Sequence, residues 1–236
     1  MKTYSIKAGY QHGEANLTVE RIPGEYWSPQ RLKDTRHNQL HCYLEARKIM
    51  REHGLKTVLD VGCGAGYKLA TVLSPLAERA IGVDQPNAVN LARVRYAELP
   101  VRFEAVDLEQ AHDSGLGTFD LVVCADVIEH MLDPDVLLAF IHAHCHDNSH
   151  VILSTPERDI RRGPDNIKSP RREHVREWNR AELKRYLESS GLRVVHHLLR
   201  PGFAIRWSPK YLRERLRLLR KRIPYHYCQV AVCRPA

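Results

Sequence analysis

Short apolar, β-branched runs alternate with longer segments of helical spacing, and this order predicts a parallel sheet with helices on both faces. The strands fall at 58–61, 80–84, 101–107, 119–125 and 150–154, with two more at 192–199 and 225–233. Ser28 before Pro29 supplies a capping hydroxyl and a proline at a first helical position. From there Leu32, Leu40, Tyr43, Leu44, Arg47 and Met50 trace a helical face that stops at Gly54. Asp133 and Pro134 open another helix by the same device, with Leu137, Phe140, Ile141 and His144 on its face. Asn179 and Glu182 have the spacing of a capping box, which starts a helix through Leu183, Tyr186 and Leu187 to Gly191. Residues 17–22 alternate as an extended strand would.

The first strand runs into glycines at 62, 64 and 66, then a helix beginning near Tyr67. Glycine permits positive φ and lets the backbone approach a ligand that a Cβ would hold away. The helix start adds unpaired N–H groups and a positive dipole end. Asp84 ends the second strand and Asp107 the third. Glycines and acids therefore recur at strand C-termini, the edge where open α/β sheets bind ligands.

This pattern resembles the class I S-adenosylmethionine-dependent methyltransferases over roughly residues 55–200. The resemblance implies a Rossmann-like α/β fold: a mostly parallel seven-stranded sheet, helices on both faces and an antiparallel last strand. It implies S-adenosylmethionine as cofactor, with Gly62, Gly64 and Gly66 around its methionine part, Asp84 on the ribose hydroxyls and Asp107 on the adenine amine. Asp60, Cys63, Gln85, Leu108 and Cys124 complete the expected cofactor contacts.

Methyl transfer from a sulfonium is an in-line displacement, so the main task of the protein is to align the acceptor. Alignment can remove about 7–11 kcal/mol of barrier, whereas a positioned base adds about 10²–10⁴ in rate. The acceptor candidates follow the fourth strand. Asp126, Glu129 and His130 are spaced to share one side of a helical turn, and His174 lies in a second polar cluster, 174–179. These segments resemble the small-RNA 3′-terminal 2′-O-methyltransferases, and the first also resembles the ubiquinone-pathway O-methyltransferases. In the RNA enzymes an E-x-x-E-H stretch and a later histidine bind a divalent metal; here Asp126 replaces the first Glu. Asp126, Glu129, His130 and His174 are thus a candidate metal set, suited to Mn²⁺, Fe²⁺, Co²⁺ or Zn²⁺ better than Mg²⁺. Alternatively, His130 is a metal-free base or a structural group, with Glu129 and His174 beside it.

A long loop at 155–178 joins the two clusters and is placed to cover an acceptor. Its Arg158, Arg161, Arg162, Arg171 and Arg172 either bind a phosphate or carboxylate or pair with nearby acids. Trp178 either stacks on a sugar or base or anchors the next helix. The wording of this loop also resembles bacterial methyltransferases associated with surface-glycan assembly.

The formal charge of +8 is concentrated between residues 206 and 222, which hold eight Lys or Arg and one Glu. Within 209–223, Leu212, Leu216, Leu219 and Ile223 form one stripe, and Arg213, Arg217 and Arg220 another. Packing of the apolar stripe on the domain or a second subunit, an anionic membrane surface and RNA phosphates all fit this basic helix. The six cysteines lack a metal-ribbon spacing and several sit in apolar strands, which suits reduced thiols. His142, His144, Cys145 and His146 read as the solvated end of a helix. Without an apolar run of about 20 residues or a secretory signal, the expected location is the cytoplasm.

The expected organisation is an N-terminal cap and helix at 1–54, then a methyltransferase domain at 55–236 with a substrate loop at 155–178 and a basic helical insertion at 206–223. The expected reaction is O-methylation of a hydroxylated sugar or glycan precursor. An RNA ribose methyltransferase and a non-catalytic partner subunit of the same fold are the alternatives.

Overall fold

The computed structural model describes residues 3–14, 27–111, 113–202 and 209–236. The alternating segment 17–22 and the start of the basic insertion, 206–208, lie outside these residues. Seven strands form one sheet in the order β3-β2-β1-β4-β5-β7-β6. They are β1 (Thr57–Val61), β2 (Arg79–Asp84), β3 (Arg102–Ala105), β4 (Phe119–Ala125), β5 (Cys145–Pro156), β6 (Leu192–Arg200) and β7 (Cys228–Pro235). The first five are parallel, and β7 inserts antiparallel between β5 and β6.

Period-two alternation divides each central strand between two cores. Leu59 and Val61 of β1, with Val122 and Cys124 of β4, face one layer. That layer is closed by α4 (Pro134–Ala143) and α6 (Arg180–Ser189) through Leu137, Ile141, Leu183 and Leu187. Val58, Leu121 and Val123 face the other layer, which contains α2 (Leu40–His53), α3 (Pro86–Arg95) and the short π-helix Leu69–Leu73 in the helix expected near Tyr67. The expected capping box is made: Asn179 and Glu182 exchange side-chain bonds with each other's backbone N–H.

Several elements depart from the sequence reading. The helix expected from Ser28 to Gly54 is two, α1 (Pro29–Asp34) and α2, because Gln39 adopts φ 53° and interrupts it. The seven-residue gap between Leu32 and Leu40, without an apolar position on that face, was the available signal. Cys145 and His146 belong to β5 instead of a solvated helix end, and His144 is buried, its Nδ1 facing the Phe140 carbonyl at 2.7 Å. The loop after β5 contains a short helix, α5 (Arg158–Arg162). The cap joins the same core: Ile6 and Tyr10 pack with Trp178 and Leu183.

The basic insertion forms α7 (Pro209–Arg220), but the three leucines of its apolar stripe do not pack on the domain, and Ile223 at the end of the stripe does. Leu212, Leu216 and Leu219 are 61%, 46% and 69% exposed, whereas Leu218 turns inward against Tyr227. Among the described residues no helix is long and apolar enough to cross a membrane.

Candidate active site

The order of the sheet reverses between β1 and β4, and a cavity of about 810 Å³ opens over their C-terminal ends. This is the crevice where doubly wound sheets take ligands. Its volume lies within the roughly 300–1,000 Å³ typical of ligand sites.

One wall is the glycine turn after β1. Gly62 and Gly66 adopt φ +76° and +78°, and a Cβ on them would approach Val127 to 2.3 Å and Phe103 to 2.6 Å. Only glycine satisfies both the conformation and the packing there. Asp84 Oδ2 accepts from the Gly64 N–H and Oδ1 from the Gln85 N–H, each at 2.7 Å. Burial pushes the Asp84 carboxyl above its ordinary pKa while these N–H groups oppose the rise. Of the residues expected to contact a cofactor, Gly62, Cys63, Gly64, Gly66, Asp84, Gln85, Asp107 and Leu108 line the cavity.

Asp60 and Cys124 do not line it. Asp60 is wholly buried behind the wall, with the Tyr43 hydroxyl donating to both its oxygens at 2.9 and 3.1 Å. Burial lifts its pKa to about 7 against the pull of Tyr43 and Lys68. Cys124 lies in the apolar layer beneath α4. Alternation along β1 and β4 sends these two side chains inward, away from the ligand edge.

Three polar residues that the sequence reading did not single out for the site form its floor: Gln39, Tyr43 and Lys68. Lys68 Nζ donates to Gln39 Oε1 at 3.3 Å and lies 5.0 Å from the centre of the Tyr43 ring. Their signal is weak, because Tyr43 and Lys68 are ordinary helical positions and Gln39 sits where the sequence reads as continuous helix.

Glu129, His130 and His174 meet on the acceptor side, each offering one ligand atom within 4.8 Å of the others. Asp126 is outside this group. Between β4 and α4 the chain makes only a short 3₁₀ turn at Ile128–His130, so the expected shared helical side does not form. Asp126 instead takes φ 54° and accepts from Ser154 Oγ at 2.8 Å and Gln39 Nε2 at 3.1 Å.

The three residues fit a divalent cation. His130 Nδ1 bonds the Glu173 carbonyl at 2.6 Å and His174 Nδ1 bonds Glu177 Oε1 at 2.7 Å. Each ring is thereby oriented with Nε2 left for a ligand, as in metal-binding histidines. Burial, reinforced by His174, pushes the His130 pKa down to about 4, so its imidazole is neutral at pH 7. Glu129 is 1% exposed and accepts from Thr155 Oγ1 at 2.9 Å. Burial, then the nearby Asp126, raises its pKa well above the ordinary range, a displacement that a bound cation reverses. Burial also opposes ionisation of Glu177, but the bonds from His174 and Arg162 outweigh it and hold its pKa low.

The loop arginines separate. Arg158 is buried on Glu182 at 2.6 and 3.1 Å, Arg162 binds Glu177 at 3.0 Å, and Arg171 pairs with Glu173 at 3.0 Å. Arg172 is exposed, and Arg161 lines the cavity. Trp178 is fully buried, donates to the Tyr4 carbonyl at 2.8 Å and stacks on Tyr186, so it anchors the cap and α6 and faces no ligand.

A family model described as a methyltransferase domain matches residues 26–197. A Mycolicibacterium smegmatis protein named for S-adenosylmethionine-dependent methyl transfer is 32% identical over 185 residues, 75% of this chain and 65% of that protein. The ubiquinone biosynthesis O-methyltransferase of Pseudomonas paraeruginosa is 33% identical over 107 residues, 44% of this chain and 46% of that protein. The chain thus spans between about half and two thirds of these relatives. The N-methyltransferase NodS of Bradyrhizobium japonicum, solved with S-adenosyl-L-homocysteine, superposes with a TM-score of 0.58 at 18% identity, covering 93% of this chain and 94% of that one.

Proposed function

The chain belongs to the methyltransferase-domain family, and from that premise we propose that it is an S-adenosylmethionine-dependent O-methyltransferase acting on a hydroxylated sugar or glycan precursor. The observation that carries the acceptor chemistry is the convergence of Glu129, His130 and His174 on one cavity with the glycine turn. The O-methyltransferase name of the Pseudomonas relative points the same way.

In this reading Asp84 and the backbone of 62–66 hold the cofactor, which supplies a sulfonium-bound methyl group. Glu129, His130 and His174 would hold a divalent cation, and the chemistry such a cation would supply there is polarisation of an acceptor hydroxyl. Glu177 and the Glu173 carbonyl fix the two imidazoles in place. The buried acceptor wall limits water around the hydroxyl, so the aligned acceptor competes well for the methyl group.

Methyl-labelled S-adenosylmethionine, incubated with the protein and a host extract with and without chelator, tests this. Chelator-sensitive label in the sugar and nucleotide-sugar fractions is expected. Label confined to protein or lipid would overturn the acceptor class, and label confined to RNA would select a ribose 2′-hydroxyl, which the same three residues also suit.

The exposed leucines of α7 favour an anionic membrane surface as a further contact. Phosphates of RNA would draw on the seven Lys or Arg at 209–222 but gain nothing from Leu212, Leu216 and Leu219. A second copy would bring two strongly basic helices together. Binding to phosphatidylglycerol vesicles, lost when the three leucines become serine, is the expected result; RNA binding unaffected by those changes would instead select nucleic acid.

A further inference from the structure

Arg161 differs from its neighbours on α5 and from Arg171, the other arginine of the loop that lines the cavity. Arg158 and Arg162, its neighbours on α5, are held by Glu182 and Glu177, and Arg171 by Glu173. Arg161 is half-buried, lies 4.6 Å from the centre of the Tyr227 ring and lines the cavity beside Tyr227 and His174. Among the described residues no carboxylate pairs with it. Glu177, the acid that acts on it, is already engaged by Arg162, His174 and Ser169.

A guanidinium does not discharge in a protein, so desolvating it without a counter-ion is unfavourable. Burial indeed lowers the Arg161 pKa, and Arg162 and Arg171 add to the effect. That penalty is relieved when an anion enters the cavity. The ring of Tyr227 supports the planar cation, a geometry suited to a forked bond with an oxyanion.

We propose that Arg161 anchors an oxyanion carried by the acceptor, a phosphoryl or carboxylate group, so that the methylated molecule is an anionic sugar derivative such as a sugar phosphate or a sugar acid. This rests on the O-methyltransferase reading for the identity of the acceptor site, but the anion site itself does not depend on turnover. Arg161 then sets specificity by holding the charged end of the acceptor, while Glu129, His130 and His174 face its hydroxyls.

The test uses the full chain saturated with S-adenosyl-L-homocysteine, in chelator and at constant ionic strength. Inorganic phosphate and acetate are titrated separately, and thermal melting gives the apparent affinity for each. Saturable stabilisation by at least one anion is expected; which anion acts distinguishes a phosphoryl from a carboxylate source. Arg161→Gln should weaken it by at least about tenfold, Arg161→Lys by less, and the exposed control Arg172→Gln not at all. Unchanged S-adenosyl-L-homocysteine affinity verifies that the variants fold. No stabilisation by either anion, or equal stabilisation of Arg161→Gln and the original protein, overturns the proposal. Since no methyl transfer is measured, a protein that binds anion through Arg161 but never methylates a hydroxyl would refute only the O-methyltransferase reading.

Discussion

The side-chain amide of Gln39 donates to Asp126 Oδ2 at 3.1 Å, tying the break between α1 and α2 to the residue just beyond β4. Gln39 Oε1 also accepts from the buried Lys68, so one amide satisfies a cation and an anion on the cavity floor. The left-handed backbone at both Gln39 and Asp126 brings the two side chains together. Gln39→Leu leaves both charges short of a partner and should lower the unfolding free energy by about 1–3 kcal/mol. Urea denaturation measures this, and an unchanged midpoint would show that the bond is dispensable.

Asp84 and Asp60 are expected to behave in opposite ways. Asp84→Ala removes the acid that lines the cavity and the acceptor for Gly64, and should weaken S-adenosyl-L-homocysteine by about 10–100-fold, the equivalent of losing charge-assisted bonds. Asp60→Asn should leave that affinity within about threefold, because Asp60 lies behind the wall. Calorimetric titration of both variants discriminates them.

Asp60 also makes a prediction about pH. Its folded pKa is raised to about 7, above its ordinary value of 3.8, so between these values the folded state holds more proton than the unfolded state. Stability from this group is present at low pH and is lost as pH rises through that window. Asp60→Asn lacks the dependence, and its stability relative to the original protein should increase from pH 4 to pH 7 by roughly 2–4 kcal/mol. Parallel pH dependences in the two proteins would contradict the assigned burial of the charge.

The contact between Gly62 and Val127 is steric. Gly62→Ala places a Cβ against Val127 at positive φ, and should cost about 2–4 kcal/mol from strain and overpacking together. Val127→Ala in the same chain should recover part of the loss. A double-mutant cycle with no coupling would mean that the backbone conformation alone accounts for it.

Glu177 acts through His174. Glu177→Gln should reduce Mn²⁺ affinity by about 10–100-fold without altering S-adenosyl-L-homocysteine binding. A folded variant with undiminished Mn²⁺ affinity would remove Glu177 from the positioning of that histidine.

Most of the sheet was legible because strand length, alternation and flanking turn residues are local properties. β4 falls on the expected residues, and Asn179 with Glu182 makes the expected capping box. The interruption at Gln39 was not legible, since the bond it makes to Asp126 spans 87 positions. Similarly, the leucines of α7 had the correct helical spacing, but periodicity does not state which side meets the domain. Leu218, outside that stripe, packs together with Ile223 at its end, whereas Leu212, Leu216 and Leu219 stay exposed.

By itself the sequence determined the order of the seven strands, the glycine turn, and the acids at or just beyond the ends of β2 and β3. Each depends on backbone preferences or side-chain patterns within a few residues. Only the tertiary structure decided that Asp60 and Cys124 face inward, that Asp126 leaves the group formed by Glu129, His130 and His174, and that Arg161, unlike Arg171 beside the same cavity, has no carboxylate partner among the described residues. Those outcomes depend on which distant group reaches each side chain first. The energy of a buried charge is set by neighbours in space, and these are fixed by strand register and loop path.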